Sequence, residues 1–326
     1  MNGKAGTKHP VVALTGATGF IGAALLPKLA SSGYRVRALC RPRPGRILQS
    51  TSNLEWVPGD LDDHAALEAL VDGADSVIHC AGAVRGARRA DFDRVNESGV
   101  INLVQAAENA PGCRRFLLLS SLAAREPQLS DYSASKRRGE RALAANAHRL
   151  DWTVLRPPAV YGPGDREMVA LFRGMARGWA PVPGAARGRF SLIYVTDLAR
   201  ALVAWLAADV GHGQTYELDD GHAGGYGWHA VLDIAARTLR GGTPIHRVPV
   251  PIVFFRLVGW GNLAAARFFG YAPMLTPGKV REVTHANWVC DGSAFAQATG
   301  WRPAYGFERG LACTLGKPDT VLERGS

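Results

Sequence analysis

Through the first half of the chain, runs of consecutive apolar residues alternate with longer stretches whose apolar positions recur every three or four residues. The runs are PVVALTG (10–16), YRVRALC (34–40), LEWVPGD (54–60), DSVIHCAG (75–82), RRFLLLSS (114–121) and WTVLRP (152–157). Between them FIGAALLPKLASSG, DHAALEALVDG, a segment from about Asp91 to Asn109 and another from Asp131 to about His148 carry the 3.6-residue period of helices buried along one face. Apolar strands alternating with amphipathic helices predict βαβ units, that is, an α/β fold with a doubly wound parallel sheet covered on both faces. Gly33 and Gly73 stand where two of the helices should end. Pro27 falls inside the first helix. An interior proline costs about 3 kcal/mol, so a kink or a tolerated distortion is expected there.

After Pro157 the rhythm changes. PPAVYGPGD reads as a loop, RFSLIYVTDLARALVAWLAAD as a strand and a helix beginning near Thr196 or Asp197, and QTYELDD as another strand. The remainder of the chain is helical, broken by Pro and Gly and rich in aromatics. The expectation is a larger α/β domain over residues 10–165 plus about 189–218. A smaller, mostly helical lobe over about 166–188 plus 219–316 would carry the substrate, and the tails 1–9 and 317–326 would be flexible.

Composition narrows the class. At 47% apolar and 20% charged residues the chain is ordinary for a globular protein. The polar start MNGKAGTKH leads straight into a strand and does not read as a signal peptide. The most apolar stretch, VPVPIVFFRLVGWGNLAAARFFG, is interrupted by Arg256 and Arg267 and by Pro and Gly. It reads as an apolar substrate lip or a membrane-touching edge rather than a transmembrane span. Five widely spaced cysteines form neither a CxxC nor a Cys/His cluster, so no metal or disulfide frame is expected and a reducing cytoplasm fits. The net charge of +10 comes almost wholly from dispersed arginines. Only RGARR (85–89) and KRRGER (136–141) cluster, and no nucleic-acid motif accompanies them. The ligand is therefore expected to be a small molecule, not a nucleic acid. His79, His246 and His285 have no partner spacing and read as structural.

The turn LTGATGFIG places Gly16, Gly19 and Gly22 between the first strand and the first helix. There the backbone must turn tightly and let a pyrophosphate reach helix N–H groups with no Cβ in the way, which points to a dinucleotide. The end of the second strand selects which one. An acid there would bind the ribose hydroxyls of NAD, but this chain has Cys40 followed by Arg41 and Arg43. Guanidinium forks suit a 2′-phosphate, so NADP(H) is favoured over NAD(H). Further on, Tyr132 and Lys136 in DYSASKRRGE stand one helical turn apart. That spacing lets an ammonium sit beside a phenol on one helix face and ease its ionisation, although chance also supplies such pairs.

Taken in order, TGxxGxxG, GDL at 59–61, HCAG, VNESGVIN, LLLSSLA, YxxxK, LRPPAVYGPGD and IYVTDLARA resemble the extended short-chain dehydrogenase/reductase superfamily. More narrowly they resemble its NAD(P)-dependent epimerase/dehydratase family, over roughly residues 10–210. The resemblance implies a Rossmann-type domain and a cofactor contacted by Gly16, Thr18, Gly19, Phe20, Ile21, Gly22, Arg41, Arg43, Asp60, Leu61, Ala81, Gly82, Tyr132, Lys136, Pro157 and Val160. Within that set Asp60 would reach the adenine amino group. Ser121, Tyr132 and Lys136 match the family's catalytic residues, and Asn96 matches the helix asparagine that supports the lysine and a water. A homodimer through the helices at Asp91 and Asp131 is expected on the same ground.

Substrate positions depart from the pattern of sugar-nucleotide members. Ala159 replaces the Asn of RPxNVYGP, Phe190 and Ser191 replace a basic pair, and NWVCD with Trp288 replaces an Arg before Gly-Asp. Arg187 and Arg189 could compensate. The loop from Ser121 to Tyr132 is short, predicting an open site. The expected activity is NADP-dependent interconversion of a carbonyl and a secondary alcohol on a fairly hydrophobic molecule. A nucleotide-sugar epimerase or dehydratase, and a non-catalytic NADP-binding subunit, are the alternatives.

Overall fold

A computed structural model describes residues 9–44, 48–183, 188–208, 210 and 213–316. Apart from His9, the tails expected to be flexible lie outside these residues. Seven strands form one sheet: β1 (Val11–Thr15), β2 (Arg35–Cys40), β3 (Leu54–Pro58), β4 (Ser76–His79), β5 (Arg115–Leu119), β6 (Asp151–Arg156) and β7 (Gln214–Glu217). Their order is β7-β6-β5-β4-β1-β2-β3, and every pairing is parallel. The main crossover helices are α1 (Phe20–Ser31), α2 (His64–Val71), α3 (Gly99–Asn109), α4 (Asp131–Asn146) and α5 (Val195–Ala207). Alternation along β5 shows why both faces are covered. Leu117 and Leu119 pack with Leu25, Leu29, Leu202 and Trp205 of α1 and α5, while Phe116 and Leu118 pack with Leu67, Val104 and Leu143 of α2, α3 and α4. Strand order reverses at β1 and β4, and the crevice at their carboxyl ends is where such a sheet binds ligands.

Local chemistry explains most boundaries. Gly33 and Gly73 follow α1 and α2 with φ of +82° and +62°, as expected of helix ends. Helix α1 runs unbroken through Pro27. The carbonyl deprived of its partner there belongs to exposed Ala23, where water can bond it. The helix expected from Asp91 to Asn109 starts at Arg89 and contains one wide turn, Arg94–Ser98. Such π-bulges frequently mark functional positions, and this one carries Asn96.

The lobe has its own aromatic core. Tyr161 meets Phe172, Tyr194 and Phe307 edge-on at 5.8, 5.6 and 5.7 Å. Arg189–Phe190 pairs with Tyr226–Gly227 and Asn287–Trp288, so the lobe's small sheet reaches past residue 188. The stretch read as broken by Pro and Gly is one helix, α6 (Ile252–Phe269), followed by α7 (Pro277–Val283). Pro251 lies just outside α6, and Gly259 lets it close onto the Thr276–Pro277 backbone, where a Cβ would stand 3.2 Å away. By length and composition α6 could cross a membrane, with mean hydropathy 1.3 and only 11% of its residues buried.

Candidate active site

The glycine turn is built as its spacing requires. Gly16 has φ +74°, and a Cβ on it would stand 2.6 Å from the Ala81 nitrogen; one on Gly22 would stand 2.2 Å from the Gly16 carbonyl oxygen. The Gly19 N–H closes the turn onto that same oxygen at 2.9 Å. Side chains at Gly16 or Gly22 would collapse the loop, and without them the helix N-terminus is left open to an anion. In front of it lies a cavity of about 420 Å³, lined among others by Gly16, Thr18, Gly19, Arg41, Arg43, Asp60, Leu61, Ala81 and Gly82. A bare-backbone cradle with guanidinium groups at its rim fits the diphosphate of a dinucleotide.

Not every expected residue lines this cavity. Phe20 and Ile21 start α1, Ile21 packing against the core. Val160 also packs there, and the Pro157 carbonyl accepts from the Leu122 N–H at 2.9 Å. Arg94, unforeseen from sequence, lines the cavity and pairs with Asp62 at 2.5 Å and Asp60 at 3.8 Å.

Ser121, Tyr132, Lys136 and Asn96 converge at the carboxyl ends of β4 and β5. Asn96 is buried; its amide donates to the Ala83 carbonyl at 2.9 Å and the Ser135 hydroxyl at 2.8 Å, and its oxygen accepts from the Ala83 N–H at 2.9 Å. This fixes the strand end just after Gly82. A Cβ on Gly82 would stand 3.2 Å from Lys136 Nζ and 3.4 Å from Asn96 Oδ1, which puts all three groups together. Lys136 Nζ donates to the Leu119 carbonyl at 2.9 Å. Burial lowers its pKa to about 8, against the opposing pull of Glu140 and Cys80. Nearby His79 bonds Thr15 Oγ1 at 2.7 Å, and burial lowers its pKa to about 3, so it stays neutral.

Tyr132 differs from expectation in one respect. Lys136 shares its helix face, but the cation whose charge bears on the phenol is Lys279 of α7, with Nζ 5.8 Å from the ring centre. Burial raises the Tyr132 pKa and wins over the lowering effects of the Ser121 hydrogen bond and Lys279; Glu282 adds to the rise. The phenol is thus held protonated rather than eased toward ionisation.

Nor is the site open. Helix α7 covers it: Glu282 accepts from Ser130 and from the Ser133 hydroxyl at 3.1 Å, Arg281 donates to the Leu129 carbonyl at 2.7 Å, and Lys279 pairs with Glu282 at 2.9 Å. A short Ser121–Tyr132 loop leaves room that an element nearly 150 residues away fills. Sequence reasoning missed Lys279 and Glu282, because only tertiary packing brings them to Tyr132.

The substituted substrate positions also have plain geometry. Phe190 stands edge-on to Trp228 at 5.5 Å and is paired with Trp288, making an aromatic wall. Ser191 is buried, accepting from the Cys290 N–H at 3.1 Å. Arg189 is spent on the carbonyls of Gly224 and Gly225 at 2.6 and 2.7 Å, so it does not replace the missing basic pair. Arg187 lies outside the described residues.

Comparison with known proteins agrees with this geometry. The profile of the NAD dependent epimerase/dehydratase family matches residues 12–218. The chain is 38% identical over 292 residues to a ceramide reductase of Caulobacter vibrioides, covering 88% of each. It is 25% identical over 331 residues to a UDP-glucose 4-epimerase of Vibrio cholerae, covering 93% of this chain and 94% of that one. The fold matches the crystal structure of gox2253 with a TM-score of 0.72 at 22% identity, over 95% of this chain and 98% of the other. The chain belongs to the NAD-dependent epimerase/dehydratase family and is an NAD(P)-dependent oxidoreductase of the extended short-chain dehydrogenase/reductase type.

Proposed function

We propose that this enzyme uses NADPH to reduce a ketone to a secondary alcohol on a ceramide-like lipid, with Tyr132 as the proton donor. The observation that carries the reading is a half-buried tyrosine whose pKa is pushed up, placed beside Ser121 and Lys279, with Lys136 one turn along the same helix beside Gly82 of the glycine-lined cavity. A phenol that stays protonated at neutral pH suits the reductive direction, where a proton must be given. When bound, NADPH supplies the hydride. The Gly16–Gly22 turn would hold its diphosphate, Asp60 its adenine end, and Arg41 and Arg43 its 2′-phosphate. Ser121 would hold the carbonyl oxygen by hydrogen bond. As that oxygen gains charge Tyr132 passes it a proton, and Lys279 stabilises the phenolate left behind.

The substrate class rests on the ceramide reductase relative and on the lobe. Ala159, the Phe190–Trp228–Trp288 wall and the committed Arg189 leave little to bind a nucleotide diphosphate and much to bind hydrocarbon. The test is NADPH oxidation with a keto-ceramide in mixed micelles, run beside a UDP-glucose interconversion assay. Turnover of the keto-lipid alone is expected. Tyr132→Phe should keep its NADPH-induced thermal shift and lose about 10²–10⁴ in kcat. Sugar interconversion with no net NADPH oxidation, or an undiminished Tyr132→Phe enzyme, would overturn the reading.

A further inference from the structure

Helix α6 leaves most of its surface in solvent although, among the described residues, it is the one helix both long and apolar enough to cross a membrane. Val253, Leu257, Trp260, Ala264 and Phe268 recur at helical spacing and form one outward stripe, with Trp260 60% and Phe268 84% exposed. Exposed Phe254 flanks it, and exposed Phe269 at the helix end stands edge-on to Phe268 at 4.9 Å. Arg256 and Arg267, also exposed, both fall along one edge of this stripe. The opposite face is attached to the body: Ala266 is buried, Gly259 abuts the Thr276–Pro277 backbone, and the Asn262 amide donates to the Leu275 carbonyl at 2.8 Å. An apolar patch of this kind is not left bare without a partner.

Charge selects the partner. Between Asp233 and Glu282 the chain has no acidic residue and seven basic ones. Arg267 also reaches the Ala87 carbonyl at 3.4 Å, which brings exposed Arg88 beside the stripe, while Arg89 is paired with Asp93 at 3.0 Å. A second copy meeting this face symmetrically would set like charges against each other. A spanning helix would need to be apolar all round, yet α6 is fastened sideways through Gly259 and Asn262. An outward apolar stripe with an arginine edge is the pattern of a helix lying in the plane of an anionic bilayer.

We propose that α6 docks this enzyme on the surface of an anionic phospholipid membrane, with Leu257, Trp260, Phe268 and Phe269 entering the acyl boundary and Arg256 and Arg267 at the headgroups. The other side of α6 backs α7, which covers Tyr132, so the docked face lies one helix from the catalytic tyrosine. The surface alone carries this inference, and a failed substrate assignment would leave it standing.

The test is co-sedimentation of the full chain, without substrate, with vesicles of phosphatidylcholine alone or mixed equally with phosphatidylglycerol. Sedimentation with the mixed vesicles is expected, at least about tenfold weaker with phosphatidylcholine and weakened by added salt. A Leu257→Ser/Phe268→Ser/Phe269→Ser variant should bind at least about tenfold less while keeping its melting temperature and NADPH-induced shift. Should that variant misfold, Arg256→Glu/Arg267→Glu serves in its place. Brominated lipid should quench wild-type fluorescence more than that of Trp260→Phe. A protein that stays in the supernatant, a dimer that buries α6 without binding vesicles, or carbonate-resistant insertion would each overturn the proposal.

Discussion

Lys136 should make the protein less stable at neutral pH than an uncharged residue would. Its side chain is buried, and its pKa falls from 10.5 to about 8. Each unit is 1.36 kcal/mol, so holding the ammonium there at pH 7 costs about 3 kcal/mol relative to the unfolded chain. Between pH 8 and 10.5 the unfolded state binds more protons at this site than the folded state. Stability from this group therefore rises with pH across that window, and at pH 9.5 the remaining cost is about 1 kcal/mol. Lys136→Met removes the charge but also the hydrogen bond to the Leu119 carbonyl, worth about 1 kcal/mol. The variant should be more stable than wild type by about 2 kcal/mol at pH 7, with the gap nearly closed at pH 9.5.

Urea unfolding of both proteins without cofactor at the two pH values reads this, because titrating groups not coupled to Lys136 cancel in the difference; the coupled ones are His79, Cys80 and Glu140. Turnover should meanwhile fall by two decades or more, about the size of a lost acid–base partner. A variant less stable than wild type at pH 7 would refute the reasoning. So would a gap that does not narrow with pH, since the cost would then not be one of charge.

The site sets two further outcomes. Arg41→Ala should weaken NADPH by one to two decades and leave NADH nearly unchanged, read by thermal shift across cofactor concentration, since each charge-assisted bond is worth about 1.5–3 kcal/mol; equal losses for both would remove the 2′-phosphate assignment. Lys279→Met should push the already raised Tyr132 pKa higher, because Lys279 lowers it while burial and Glu282 raise it. In the alcohol-oxidising direction, where Tyr132 must be deprotonated, the alkaline rise of kcat/KM should move to higher pH, and an unmoved profile would show that Lys279 does not act on the phenol.

The sheet was legible because its information is local. Apolar runs, helical periods and glycine-rich ends each specify one βα unit, and parallel pairing results from their alternation. The cradle was legible for the same reason: Gly16, Gly19 and Gly22 lie on one turn. The Tyr132–Lys136 face was legible because both lie on α4. What escaped were the long-range contacts that no short motif marks. Nothing near Tyr132 announces Lys279 or Glu282, and nothing near Arg189 announces that its guanidinium closes on Gly224 and Gly225. The Pro and Gly content around α6 suggested interruption. The structure resolves this by placing Pro251 outside the helix and using Gly259 as a packing surface.

That division has a functional counterpart. Groups that serve any substrate of this chemistry sit on the sheet's carboxyl edge and are encoded by short motifs. Groups that adjust the chemistry come from the lobe: α7 brings a cation and a carboxylate to Tyr132, and α6 brings an apolar face behind α7. Tyr132 carries both influences. Left to its burial the phenol would hold its proton firmly, and Ser121 and Lys279 loosen it without reversing the balance. A substitution in α7 should therefore alter how readily the proton is given while leaving cofactor binding unchanged, and one at the glycine turn should do the opposite. The lobe is then the part of the molecule free to diverge in substrate and setting while the sheet keeps the reaction.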